Sequence, residues 1–76
     1  MRISVRRTGG FAGIARTWEC DTAMLPGARA AEIERIARSL AVGRSPLADG
    51  FSYEVTVDGE AREVADAEAL IEVISA

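Results

Sequence analysis

The chain contains no histidine. That removes the usual general base at neutral pH and the commonest metal ligand. It has a single cysteine, Cys20, so no disulfide can form within it. A lone cysteine fits a reducing compartment. Without histidine or a second cysteine, a zinc site of the chain's own is not expected. Lysine is also absent, and all nine basic residues are arginine. Together with abundant alanine, this reads first as the mark of a GC-rich genome. Arginine also suits interfaces better than lysine does. No apolar run approaches the ~20 residues that a membrane helix needs. The opening Met1-Arg2-Ile3-Ser4-Val5-Arg6 alternates instead of forming a continuous apolar segment, unlike a secretory signal. These absences predict a cytoplasmic location with no membrane partner.

What remains is a chain of 76 residues, 49% of them hydrophobic. That is enough for one domain spanning 1–76 with a small core. Nine Arg against twelve Asp and Glu leave a net charge of -3. This disfavours nucleic acid, because phosphate contacts need a positive face. RNA binding would also want exposed aromatics beside the arginines, and only Trp18 is close to them in sequence.

The order of elements follows from periodicity. Ile3 and Val5 alternate with Arg2, Ser4 and Arg6, a half-buried strand. A second strand is predicted where Ile14, Arg16, Trp18 and Cys20 alternate with Ala15, Thr17, Glu19 and Asp21. The link between the two makes a hairpin. Thr22 to Leu25 is a connection, and Pro26 suits the first turn of a helix. Ile33, Ile36, Ala37 and Leu40 share one helical face, with Glu34 and Arg38 paired on the other. Gly43 is the expected helix stop, followed by a loop from Arg44 to Gly50. Phe51, Tyr53, Val55 and Val57 alternate with polar residues in the clearest strand. Asp58-Gly59 is a tight-turn signal. Ala61 to Ala65 returns as a fourth strand with Val64 inward. Asp66 is a candidate cap for a last helix, Ala67 to Ile74, with Glu68 and Glu72 outward. The fold class is therefore α+β, in the order β-β-α-β-β-α. Two hairpins form a four-stranded antiparallel sheet, and the long helix covers one face. The other face is open to water.

A search for chemistry finds little. Cys20 shares a strand side with Trp18 and reads as a core cysteine, not a nucleophile. Glu54, Asp58, Glu60 and Glu63 read as solvated charge, since no apolar pocket surrounds them. The glycine-rich link lacks the strand-to-helix context and the lysine of a phosphate-binding loop. The cluster Arg2, Arg6, Arg7 and Arg16 is either a solvated face or a patch that steers an acidic partner. Trp18 can be buried or exposed.

One segment stands apart. Arg7-Thr8-Gly9-Gly10-Phe11-Ala12-Gly13 joins the first two strands, with three glycines and a large apolar ring in its middle. Glycines permit backbone shapes closed to other residues. An aromatic among them reads as a group held out to a partner, or as a ring folded back over Ile14 or the sheet edge. No catalytic set accompanies it, so a binding module is expected, with no enzymatic activity and no cofactor.

The run Ile3-Ser4-Val5-Arg6-Arg7-Thr8-Gly9-Gly10-Phe11-Ala12-Gly13-Ile14 resembles the emfourin family of protealysin inhibitors. The resemblance continues through Trp18-Glu19-Cys20-Asp21-Thr22 and Leu25-Pro26. It returns at Asp49-Gly50-Phe51-Ser52-Tyr53-Glu54-Val55-Thr56-Val57-Asp58-Gly59, and so covers nearly the whole chain. Gly27 departs from the pattern, and Ala61 to Ala76 matches loosely. The resemblance implies a bacterial inhibitor of thermolysin-like zinc metalloproteases that acts inside the cell. The zinc would then be the partner's. Given that activity, the residues themselves point to the Thr8 to Gly13 loop as the part that enters the protease cleft, and the expected protease-binding residues are Arg7, Thr8, Gly9, Gly10, Phe11, Ala12 and Gly13, with Arg16 beside them. The chain is expected to be monomeric when free. The alternative is a non-inhibitory adaptor that pairs through its sheet edge.

Overall fold

The computed structural model describes residues 1–9, 13–43 and 50–76. The strands are β1 (Arg2–Gly9), β2 (Arg16–Asp21), β3 (Phe51–Val57) and β4 (Glu60–Val64). The helices are α1 (Gly27–Ser39) and α2 (Glu68–Ser75). All neighbours are antiparallel, in the spatial order β2-β1-β3-β4. This is the expected α+β arrangement. The two hairpins meet along β1 and β3, with Val5 opposite Val55 and Ile3 opposite Val57.

Alternation explains the two faces of the sheet. Ile3 and Val5 on β1, Tyr53 and Val55 on β3 and Val64 on β4 are buried on one of them. Ile33 of α1 and Leu70 and Ile71 of α2 complete the core, with Ala67 beside them. Both helices therefore share the face that the sequence assigned to the long helix alone. The opposite face carries Arg2, Ser4 and Arg6 on β1, Thr17 and Glu19 on β2, and Ser52, Glu54 and Thr56 on β3, none of them buried. Half-buried Trp18 and Cys20 lie on the core side of β2, packed against the cluster. Burial first, then neighbouring Asp21, raises the Cys20 thiol pKa, the opposite of an activated nucleophile.

Local chemistry sets the element ends. Asp58 and Gly59 both have positive φ, 50° and 86°. That is the geometry of a two-residue hairpin turn, and it joins Val57 to its partner Glu60. Asp58 is more than surface charge, because its carboxylate accepts the Arg2 backbone N–H at 2.9 Å. The connection after β2 contains one turn of 3-10 helix, Thr22–Met24, capped by the Asp21 carboxylate accepting from the Ala23 N–H. The buried Thr22 hydroxyl lies 2.7 Å from a Glu34 carboxylate oxygen. Glu34 also faces Arg38 at 3.7 Å, the pair expected from their spacing.

Several boundaries differ from the sequence reading, and β4 runs Glu60–Val64, one residue earlier than expected. Pro26 occupies the cap position before α1, not its first turn. The helix ends at Ser39, and extended Leu40 closes it in place of Gly43. Segment 41–43 instead runs beside β4, with the Gly43 N–H donating to the Glu63 carbonyl at 3.0 Å and Val42 bridged to Val64. At α2 the Asp66 carboxylate accepts the Glu68 N–H at 2.8 Å, yet the cap position itself is Ala67. The expected loop at Arg44 to Gly50 lies, except for Gly50, outside the described residues.

A last difference bears on the site. Thr8 and Gly9 belong to β1, held by β3 through Thr8–Ser52 and Gly9–Phe51 pairing. β2 starts at Arg16, and Ile14 and Ala15 are exposed outside it. The link between the hairpin strands is thus lopsided. One stem continues along β3 after the other has left the sheet. A hairpin pattern read from two strands contains no information about the third.

Candidate functional site

The glycine-rich segment leaves the sheet after Gly9, and the chain rejoins it at Arg16, the start of β2. Gly10, Phe11 and Ala12 lie outside the described residues. The stem is well defined. Gly9 has φ 121°, a backbone shape that side chains rarely adopt. A Cβ added there would lie 3.1 Å from the Gly50 carbonyl oxygen and 3.4 Å from the Phe51 Cα. We expect Gly9→Ala to destabilise the fold by about 1–3 kcal/mol. Chemical denaturation reads this directly, and an unchanged midpoint would show that the stem relaxes freely.

The end of the sheet next to this segment is built from one row of side chains. Arg7 follows Ile3 and Val5 on the core face, but lies beyond the apolar core. Its direct neighbours are Arg16 on β2 and Tyr53 on β3. Two arginines facing each other across a ladder repel. The surroundings offset that repulsion. The Arg7 guanidinium lies 5.0 Å from the Trp18 ring centre and 4.6 Å from that of Phe51. Arg16 lies 5.1 Å from the same indole. Cations over aromatic faces are attracted by the ring quadrupole. The Phe51 and Tyr53 rings meet edge to face at 6.4 Å.

Glu68, at the start of α2, completes the row. Arg7 Nη1 donates to both Glu68 carboxylate oxygens, at 2.8 and 3.1 Å. The Tyr53 hydroxyl donates to Glu68 Oε2 at 2.5 Å. The helix N-terminus favours the negative charge as well. Sequence periodicity put Glu68 outward. Its side chain is 47% exposed, yet it turns toward Arg7, whose own side chain is only 21% exposed. The hydrogen bond from Tyr53 holds the Glu68 carboxyl below its usual range, burial opposes this, and Arg7 adds to the lowering. The Tyr53 hydroxyl is pushed up, by burial first and then by the hydrogen bond to Glu68.

A pH dependence follows. The folded Glu68 pKa lies below the unfolded value of about 4.3. Its contribution is fully present above that unfolded value and is lost as pH falls through the folded one. Exposure of the carboxylate keeps the effect modest. Urea unfolding at pH 7 and pH 3 should show a larger acid loss for the wild type than for Glu68→Gln. Equal losses would remove Glu68 from the explanation.

The four sequence-level basic candidates separate. Arg2 and Arg6 are exposed on the open face, while Arg7 and Arg16 lie on the core face beside the glycine segment. Thr8 and Gly9 form its stem, and Gly13, with φ 63°, is exposed at its end. Phe51, Tyr53 and Glu68 were missed as members of this cluster. Alternation already put Phe51 and Tyr53 on one side of their strand. Their closeness to Arg7 depends on β1–β3 pairing, which the sequence does not reveal. Two exposed apolar side chains flank the segment, Ile14 at 63% and Phe51 at 40%.

Among the described residues, no group of three or more Cys, Asp or Glu is placed to hold a metal ion. No described helix is long and apolar enough to cross a membrane. An open cleft of about 390 Å³ lies at the far end of the sheet, between Arg2, Ser4, Glu19, Asp21, Thr56 and Gly59. It is remote from the aromatic and arginine row.

No curated protein and no solved structure matches the chain. The family model described as Emfourin matches residues 5–73, from the middle of β1 into α2. Membership in that family suggests a metalloprotease inhibitor with a protease partner, and so a non-enzymatic role. The match spans both hairpins, both helices and the arginine–aromatic row, and the chain belongs to the Emfourin family.

Proposed function

We propose that this protein inhibits a thermolysin-like, protealysin-type zinc metalloprotease inside bacterial cells by placing its glycine-rich hairpin segment in the active-site cleft. The observation that carries this reading is the family match over residues 5–73. The geometry suits it. A short apolar segment leaves a stem whose β1 arm is held twice, by β3 at Gly9 and by the Arg7 row. Preorganisation of this kind reduces the entropy lost on binding. Glycines let the main chain approach a narrow cleft closely. Phe11 fills the apolar pocket for the residue after the scissile bond. The zinc is the protease's own, and the inhibitor supplies none. Arg16, with no carboxylate within ion-pair distance among the described residues, supports encounter with acidic groups at the cleft rim.

Titration of thermolysin and a protealysin-type protease with the purified protein tests the reading. Stoichiometric loss of peptidase activity is expected. Full activity of both enzymes at micromolar protein would defeat it. The adaptor reading draws on the outer edge of β2, which has no strand partner among the described residues. It predicts binding without loss of activity, and the same titration separates the two.

A further inference from the structure

We infer that Arg7 is a positioning residue, not a contact or steering charge: clasped by Glu68 and laid over Trp18 and Phe51, it fixes the stem of the glycine-rich segment. The inference rests on the inhibitory reading for its effect on binding, though the clasp itself can be tested without it.

Three observations carry it. First, the Arg7 charge is already matched. Nη1 reaches both oxygens of Glu68, and the Tyr53 hydroxyl fills the remaining demand of Oε2. A cation so paired projects little field toward a partner. Second, Arg7 is mostly covered, while Arg16 one strand away is exposed and without an ion pair among the described residues. If one of the two steers, it is Arg16. Third, the clasp joins three elements at one point. Arg7 lies two residues before Gly9 on β1, Phe51 opposes Gly9 on β3, and Glu68 opens α2. The guanidinium therefore ties the β1 arm of the stem, and the β3 strand beside it, to the helix that covers the core.

The geometry requires arginine. A planar guanidinium covers two rings and pairs with a carboxylate at once, whereas a lysine ammonium is a compact point charge on a flexible stem. Arg7→Lys keeps the charge and loses the clasp. Glu68→Gln keeps Arg7 and weakens its anchor. A steering arginine has a different signature. Removing it slows association and flattens the salt dependence, whereas losing a preorganised contact speeds dissociation.

The experiment measures association and dissociation rates against an inhibited thermolysin-like protease at two ionic strengths. The proteins are the wild type, Arg7→Lys, Glu68→Gln and Arg16→Ala, each confirmed folded by circular dichroism at the assay temperature. We expect Arg7→Lys and Glu68→Gln to dissociate at least fivefold faster with unchanged association and salt slope. Arg16→Ala should associate more slowly with a shallower slope. Wild-type rates for Arg7→Lys, or a loss confined to association, overturn the inference. Amide exchange in the free proteins gives a readout that needs no protease. Faster exchange at Thr8 and Gly9, with Val5 and Val55 unchanged, supports the clasp. Uniform acceleration or none overturns it. If the wild type inhibits nothing, the inhibitory reading fails and the exchange result still decides the clasp.

Discussion

Replacing Phe11 with alanine should weaken inhibition at least tenfold while leaving the fold intact. A single aromatic anchor in a partner's pocket carries about 2 kcal/mol or more of binding, and tenfold is about 1.4 kcal/mol. The lower figure allows for partial filling of the pocket by the remaining backbone. The fold should survive because nine buried apolar residues among the described residues already form one core cluster without the ring. The measurement is an inhibition constant against a thermolysin-like protease, paired with a thermal melt. An unchanged constant in a folded variant would mean that the segment does not enter the cleft with its ring. A lowered melting temperature would instead place the ring against Ile14 or the sheet edge. The two outcomes separate the two orientations that the sequence leaves open.

The second large effect is on stability. Ile33 is the one residue of α1 that is fully buried, at 1% exposure. Ile36, Ala37 and Leu40 pack only partly against the core. Removing a buried isoleucine down to Cβ costs about 2–5 kcal/mol through lost transfer energy and the cavity left behind. A domain of this length has a total stability of roughly 4–11 kcal/mol, at the usual per-residue range. Ile33→Ala should therefore remove a large fraction of the folding free energy. A loss near 3 kcal/mol lowers the melting temperature by roughly 12–24 °C in so small a domain. A drop of less than about 4 °C, corresponding to under 1 kcal/mol, would show that α1 is not held through Ile33.

Much of this architecture could be read from alternation and turn chemistry. Phe51 to Val57 spelled out a strand, Asp58-Gly59 its turn, and Val64 its inward return. These signals are local, and the residues that produce them are neighbours in the chain. The misread boundaries share a physical cause. Gly43 looked like a helix stop because glycine accepts positive φ, and it does have φ 139°. It uses that freedom beyond the helix, while its N–H is paired with Glu63 in the segment that runs beside β4. Thr8 and Gly9 looked like loop because glycines follow them, yet β3 draws them into the sheet. Both errors arise where a distant strand decides the backbone.

The candidate site was legible in the same uneven way. The glycines, Phe11 and the nearby arginines stood out because their types are unusual for a strand connection. Glu68 did not, since a carboxylate in the first turn of a helix is ordinary and its partner is 61 residues away in the chain. Tyr53 looked like plain core. Only the pairing of β1 with β3 shows that the hydroxyl end of its ring reaches a charged pair.

The last helix has eight residues, fewer than an isolated helix needs to persist in water. Both of its ends are fastened by side chains from elsewhere. Arg7 holds Glu68 at the start, and Arg29 of α1 donates to the carbonyls of Val73 and Ala76 at the finish. Neither bond can form until β1 and α1 are in place. The helix is therefore expected to form late in folding, and φ-values near zero at Leu70 and Ile71 would show it. Its contacts reward a chain that has already closed its longest loops, and they slow unfolding more than they speed assembly. Kinetic persistence of the folded protein should depend on these two arginines well beyond what their surface positions suggest.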